Sequence, residues 1–84
     1  MATLIERLEA KGFTQWSTGG GCMCLLRHRN GVTDVITDRD GVGLPSKSDW
    51  LFCVYLGDWT EDNTGQPLSQ TDSKSSNEGL FYYV

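Results

Sequence analysis

The sequence predicts an α+β domain in two layers, an N-terminal helix packed on an antiparallel sheet of about four strands. Three observations carry that expectation. A capping box precedes a short apolar stripe at the N-terminus, an Asn-Gly turn joins two segments that pair sensibly, and one central run is dense in aromatic and β-branched residues. A chain of 84 residues has room for one core and therefore for a single domain over 1–84.

The helix is expected over residues 3–11. Thr3 and Glu6 stand at capping-box spacing, where hydroxyl and carboxylate each take an orphan backbone amide. Leu4, Ile5 and Leu8 form one apolar stripe, Lys11 suits the last turn, and Gly12 offers a left-handed stop with Phe13 as the contact after it. A helix this short is not stable alone and has to lie on a sheet.

The hairpin is expected over 21–38, with strands near 21–29 and 32–38. Cys22 to Arg29 alternates as a strand, and Asn30-Gly31 is the strongest short hairpin signal. With those two residues as the loop, Arg29 faces Val32, Arg27 faces Asp34, Leu26 faces Val35 and Leu25 faces Ile36. One opposite-charge pair and two apolar pairs then fall directly across from each other. The three glycines before Cys22 read as a joint, where a positive φ or a bulge is needed.

"WLFCVYL" predicts a central strand over 50–57. The acidic stretch "GDWTEDNTGQP" reads as a turn region, and "SQTDSKSSNEG", without one apolar residue, as a mobile loop within 66–79. "LFYYV" is too apolar for a frayed tail and predicts a final strand over 80–84.

Seven Lys and Arg stand against eleven Asp and Glu, a net charge of −4. That balance argues against direct binding of nucleic acid, which needs a basic footprint, and suits either solubility alone or attraction to a basic protein partner. No apolar run approaches the length of a membrane span, and the N-terminus lacks a basic-then-apolar signal pattern, so a cytoplasmic protein is expected. Three cysteines, an odd number, suggest reduced thiols.

Several motifs invite chemical readings. Cys22, Cys24, Cys53 and His28 are zinc-ligand types, but on a strand His28 lies about 13 Å beyond Cys24, too far for one ion. A thiol nucleophile would need a cationic neighbour or a helix N-terminus, and the strand supplies neither. "TGGGC" lacks the lysine of a phosphate loop. "DRDG" resembles part of a calcium loop, yet Ile36 and Lys47 occupy positions where that loop needs ligands, and a turn held by Asp side chains explains it better. No cofactor, metal or enzymatic activity is expected. The candidate contact residues are instead Asp38 and Asp40 in one turn, Asp58, Trp59, Glu61 and Asp62 in another, and Trp16. In this reading exposed tryptophans anchor a partner and carboxylates meet its Arg or Lys.

"GFTQWSTGGGC", "VITDRDG" and "DWLFCVYL", spanning roughly Phe13 to Leu56, together resemble small proteins encoded by phages and mobile elements. Such proteins are similar in size and charge to inhibitors of host defence, the anti-CRISPR proteins among them. The resemblance implies a non-enzymatic inhibitor that occludes a basic surface of a bacterial defence complex. It carries over no site residue, because those inhibitors share no motif. The alternative is a small structural or assembly protein acting as a homodimer through edge strands and aromatics.

Overall fold

The structure, a computed structural model, describes residues 2–60 and 65–84. The chain enters through Thr3, whose hydroxyl accepts from the Glu6 amide at 3.1 Å while the Glu6 carboxylate accepts from the Thr3 amide at 3.0 Å. This box opens helix α1, Leu4–Ala10. Gly12, at φ +99°, ends it: the Phe13 amide donates to the Leu8 carbonyl and the Gly12 amide to that of Glu9, the paired bonds of a Schellman motif. Leu8 and Phe13 are thereby turned together into the core.

Among the described residues five antiparallel strands follow: β1 (Thr14–Gly19), β2 (Cys22–Arg29), β3 (Val32–Thr37), β4 (Leu51–Leu56) and β5 (Ser69–Asp72). Each pairs with its neighbours in sequence, giving a meander in the order β1-β2-β3-β4-β5. The central hairpin has the predicted register, with Arg27 opposite Asp34, Leu26 opposite Val35 and Leu25 opposite Ile36. Asn30 at φ +44° and Gly31 at φ +81° give the positive-φ pair of a type I′ turn. Gly20 and Gly21 do the same between β1 and β2, at φ +60° and +84°, so the last two of the three glycines are a hairpin turn and Gly19 closes β1.

Three expectations change. The sheet has five strands where about four are predicted, because "TQWSTG" and "SQTD" are both strands. They form the two edges, where the backbone ladder pairs on one side only and side chains meet solvent. Neither therefore carries the apolar alternation that marks a strand in sequence. The polar stretch 66–79 is consequently not all loop. "LFYYV" is not a strand: Leu80–Tyr82 is a 3-10 helix, with β5 occupying the place beside β4. Its apolar residues cover the sheet instead, Leu80 buried and Tyr83 packed on Trp50 with ring centroids 6.0 Å apart.

The pleat divides the sheet into two faces. On the first, Leu25, Ile36 and Phe52 pack with Leu8, Phe13, Trp50 and Leu80 to form the main core under α1 and the C-terminal segment. On the second, Cys24, Leu26 and Val35 pack with Trp59, flanked by Trp16 and Tyr55. Asp34 sits on the first face and is completely buried. Its Oδ2 accepts from Arg27 Nε and Nη2 at 3.1 and 2.7 Å and from Arg29 Nε at 2.7 Å. Arg27 also donates to the Lys11 carbonyl at 3.2 Å and lies 4.4 Å over the Phe13 ring, tying the helix end to the sheet. No helix among the described residues is long and apolar enough to cross a membrane.

Candidate functional site

Among the described residues no helix covers the second face of the sheet. Its centre is spanned by the segment after β4, which turns back at Gly57 and lays Trp59 across Leu26 and Val35. One side chain holds that segment. Thr33, fully buried, donates from Oγ1 to the Gly57 carbonyl at 2.7 Å and accepts from the Trp59 amide at 3.2 Å. His28, opposite Thr33 in the ladder, brings Nδ1 to the same oxygen at 3.0 Å. The hydroxyl proton is already given to Gly57, so the imidazole must be the donor. Its Nε2 then faces Asp58 Oδ1 at 3.8 Å.

Asp58, His28 and Thr33 thus line up in the order of a carboxylate–imidazole–hydroxyl relay. The relay ends at a hydroxyl that is inaccessible and committed to Gly57, so it presents no oxygen to a substrate; its effect is to fasten the Trp59 segment. The buried thiols of Cys24 and Cys53 are held back similarly. Burial pushes the Cys24 thiol up to about 11 and raises that of Cys53. Tyr55, beside them, is pushed up to about 12, by burial first and then by Cys53. Among the described residues no three His, Cys, Asp or Glu side chains gather as a metal site.

Trp16 and Trp59, far apart in sequence, meet edge to face with centroids 5.6 Å apart, and Tyr55 lies 5.3 Å from Trp59 on the other side. Trp59 is nearly enclosed, at 9% exposure, which corrects the expectation of an exposed anchor: its ring packs between Trp16 of β1 and Tyr55 of β4. Trp16 and Tyr55 remain half-buried and present the accessible aromatic surface. Between Trp59 and the loop after β3 lies a cleft of about 200 Å³, floored by Val35, Thr37, Leu51 and Cys53.

The predicted carboxylates do not form one cluster. Asp58 stands at the end of the face marked by the β2–β3 turn, and hydrogen bonds from Thr60 hold its carboxyl below the usual range. Asp38 and Asp40 stand at the opposite end, beyond β3, a strand roughly 20 Å long. Asp38 is turned inward and accepts from the Val42 amide at 3.1 Å, closing its own loop, while Asp40 is exposed. Glu61 and Asp62 lie outside the described residues. Sequence reasoning passed over Thr33 and Tyr55. Thr33 was findable, since the hairpin register that pairs Arg27 with Asp34 also sets Thr33 against the only histidine.

No protein-family model, no curated protein and no solved structure matches this chain.

Proposed function

We propose that this protein is a non-enzymatic binding module whose open sheet face meets a basic surface of a protein partner. The observation that carries the reading is the seating of Trp16. It is half-exposed on a buried Trp59, on a face without helical cover among the described residues, with the carboxylates of Asp58 and Asp40 at opposite ends. A supported aromatic of this kind can enter a partner's pocket at little cost in side-chain entropy. The flanking carboxylates and the net charge of −4 favour a partner rich in Arg and Lys.

The finer reading, inhibition of a bacterial CRISPR–Cas complex by occlusion of its nucleic-acid channel, rests on the sequence resemblance together with this charge. The test is expression in a bacterium with an active CRISPR–Cas system, challenged by a targeted phage. The wild-type protein should restore plaque formation, whereas Trp16→Ala and the double reversal Asp40→Lys/Asp58→Lys should not. Failure of the wild-type protein to protect phage across the systems tried removes the inhibitor reading. Equal protection by all three proteins removes this face as the binding surface.

A second reading is favoured by one observation. β1 is a free edge of six residues, "TQWSTG", with no charged side chain and no proline to discourage pairing. Two copies could join β1 to β1 into a continuous sheet. Sedimentation equilibrium at micromolar concentration should then show a dimer that Gln15→Lys dissociates; a monomer throughout ends this reading.

A further inference from the structure

A second hollow lies on the other side of the molecule, between the first turn of α1 and the C-terminal 3-10 helix. It encloses about 380 Å³. Leu4, Leu80, Phe81 and Tyr82 supply apolar walls, and Arg7 and Lys47 supply the charge. Tyr82 is 72% exposed, a large aromatic standing at the lip with little to cover it. The Arg7 guanidinium carbon lies 3.9 Å from the centroid of the Phe81 ring, a cation–π contact that leaves its N–H donors free of any partner among the described residues. Among the described residues neither Arg7 nor Lys47 is in an ion pair, whereas Arg27, Arg29 and Arg39 all are.

We infer that this hollow binds a small carboxylate with an apolar body, such as a medium-chain fatty acid or an arylalkanoic acid. The volume of the hollow is that of a small-molecule site. The apolar walls take the body, and the two cations converge on the head group. Arg7, held by its cation–π contact with Phe81, takes the carboxylate through two parallel N–H donors, and Lys47 adds a point charge from across the rim. Two cations with no ion-pair partner among the described residues, on an apolar hollow in a protein whose net charge is −4, select an anion in that place against the sign of the whole molecule. The inference is independent of the open sheet face and stands whether or not that face binds a protein.

The test is titration of the intact protein with decanoate, followed by calorimetry and by amide chemical shifts. Saturable binding is expected, with shifts confined to Leu4, Arg7, Lys47 and residues 79–82. The uncharged analogue decanol and the cationic decylamine should bind about tenfold more weakly or worse. Lys47→Gln, which removes an exposed charge and no packing, should weaken decanoate several-fold, and Arg7→Gln/Lys47→Gln about tenfold or more. Arg7→Lys should retain part of the affinity. Absence of saturable binding, equal affinity for decylamine, or shifts mapping to Trp16 and Trp59 would each overturn the inference. So would preferential capture of a glutamate-rich peptide, which would assign the hollow to a protein partner.

Discussion

His28 donates from Nδ1 to Thr33 Oγ1 across the β2–β3 ladder, and that direction is forced by the hydroxyl's own bond to the Gly57 carbonyl. Neutral His28 is therefore the Nδ1–H tautomer, with the Nε2 lone pair turned toward Asp58. A long-range proton–nitrogen correlation of the imidazole should show that tautomer; the opposite one would falsify the assigned network.

Thr33 is the fastening of the Trp59 segment, so its loss should be felt beyond its own volume. Thr33→Val keeps the shape but leaves the Gly57 carbonyl and the Trp59 amide without their partner, at a cost of about 2 kcal/mol. Thr33→Ser retains the hydroxyl and should cost less. Urea denaturation of the two variants checks the difference, and equal losses would argue for packing alone.

The Arg27–Asp34–Arg29 group predicts an asymmetry. Removing Arg27 leaves a carboxylate that is 0% exposed with one bond, to Arg29, and should destabilise by about 3–5 kcal/mol. Asp34→Ala should cost less, because both guanidiniums lie near enough to the surface to turn to water. Arg29→Ala, with Arg27 still in place, should cost least of the three. Urea midpoints that rank the three otherwise would contradict this account.

Trp59 and Trp16 should separate cleanly. Trp59→Ala opens a cavity in the second core cluster and should cost about 3–5 kcal/mol, a large share of the stability of so small a domain. Trp16→Ala removes a half-exposed ring and should cost about 1–2 kcal/mol while weakening partner binding more than stability. Comparison of melting temperature with partner affinity distinguishes a structural tryptophan from an anchoring one.

Stability should fall at both ends of the pH scale. Asp58, Asp49, Asp72 and Glu6 have folded pKa values lowered, chiefly by hydrogen bonds from Thr60, Arg39, Ser75 and Thr3. Their contribution is present above the unfolded carboxylate values and is lost as pH falls through the folded ones. Cys24 rises from 9.0 to about 11 and Tyr55 from 10.0 to about 12. Groups raised in this way contribute fully below the unfolded value, and that contribution is lost as pH climbs through the folded one. Denaturation at a series of pH values should thus show a decline between about pH 9 and 12. Cys24→Ala, although less stable at neutral pH, should lose less across the first half of that window.

Elements with a local chemical signature were legible. The capping box, the Gly12 stop, the Asn30-Gly31 turn and the Arg27–Asp34 pair each depend on residues within a few positions of one another or on a register fixed by one turn. Trp16 and Asp58 were legible as residue types, but nothing in the chain says that Trp16 lands on Trp59 or that Asp38 and Asp58 end at opposite ends of one face.

By itself, then, the sequence determined the helix with both its ends, the central hairpin in register and the identity of β4 as an interior strand. Tertiary structure alone decided the rest. β1 and β5 are strands because backbone groups of β2 and β4 needed partners, and a ladder of amides and carbonyls leaves no side-chain signature in a polar edge. "LFYYV" covers the core instead of extending the sheet because β5 already lies beside β4. Trp59 is buried because the apolar side chains of Cys24, Leu26 and Val35 on the second face need cover, and burying its ring there gains more than leaving it in water.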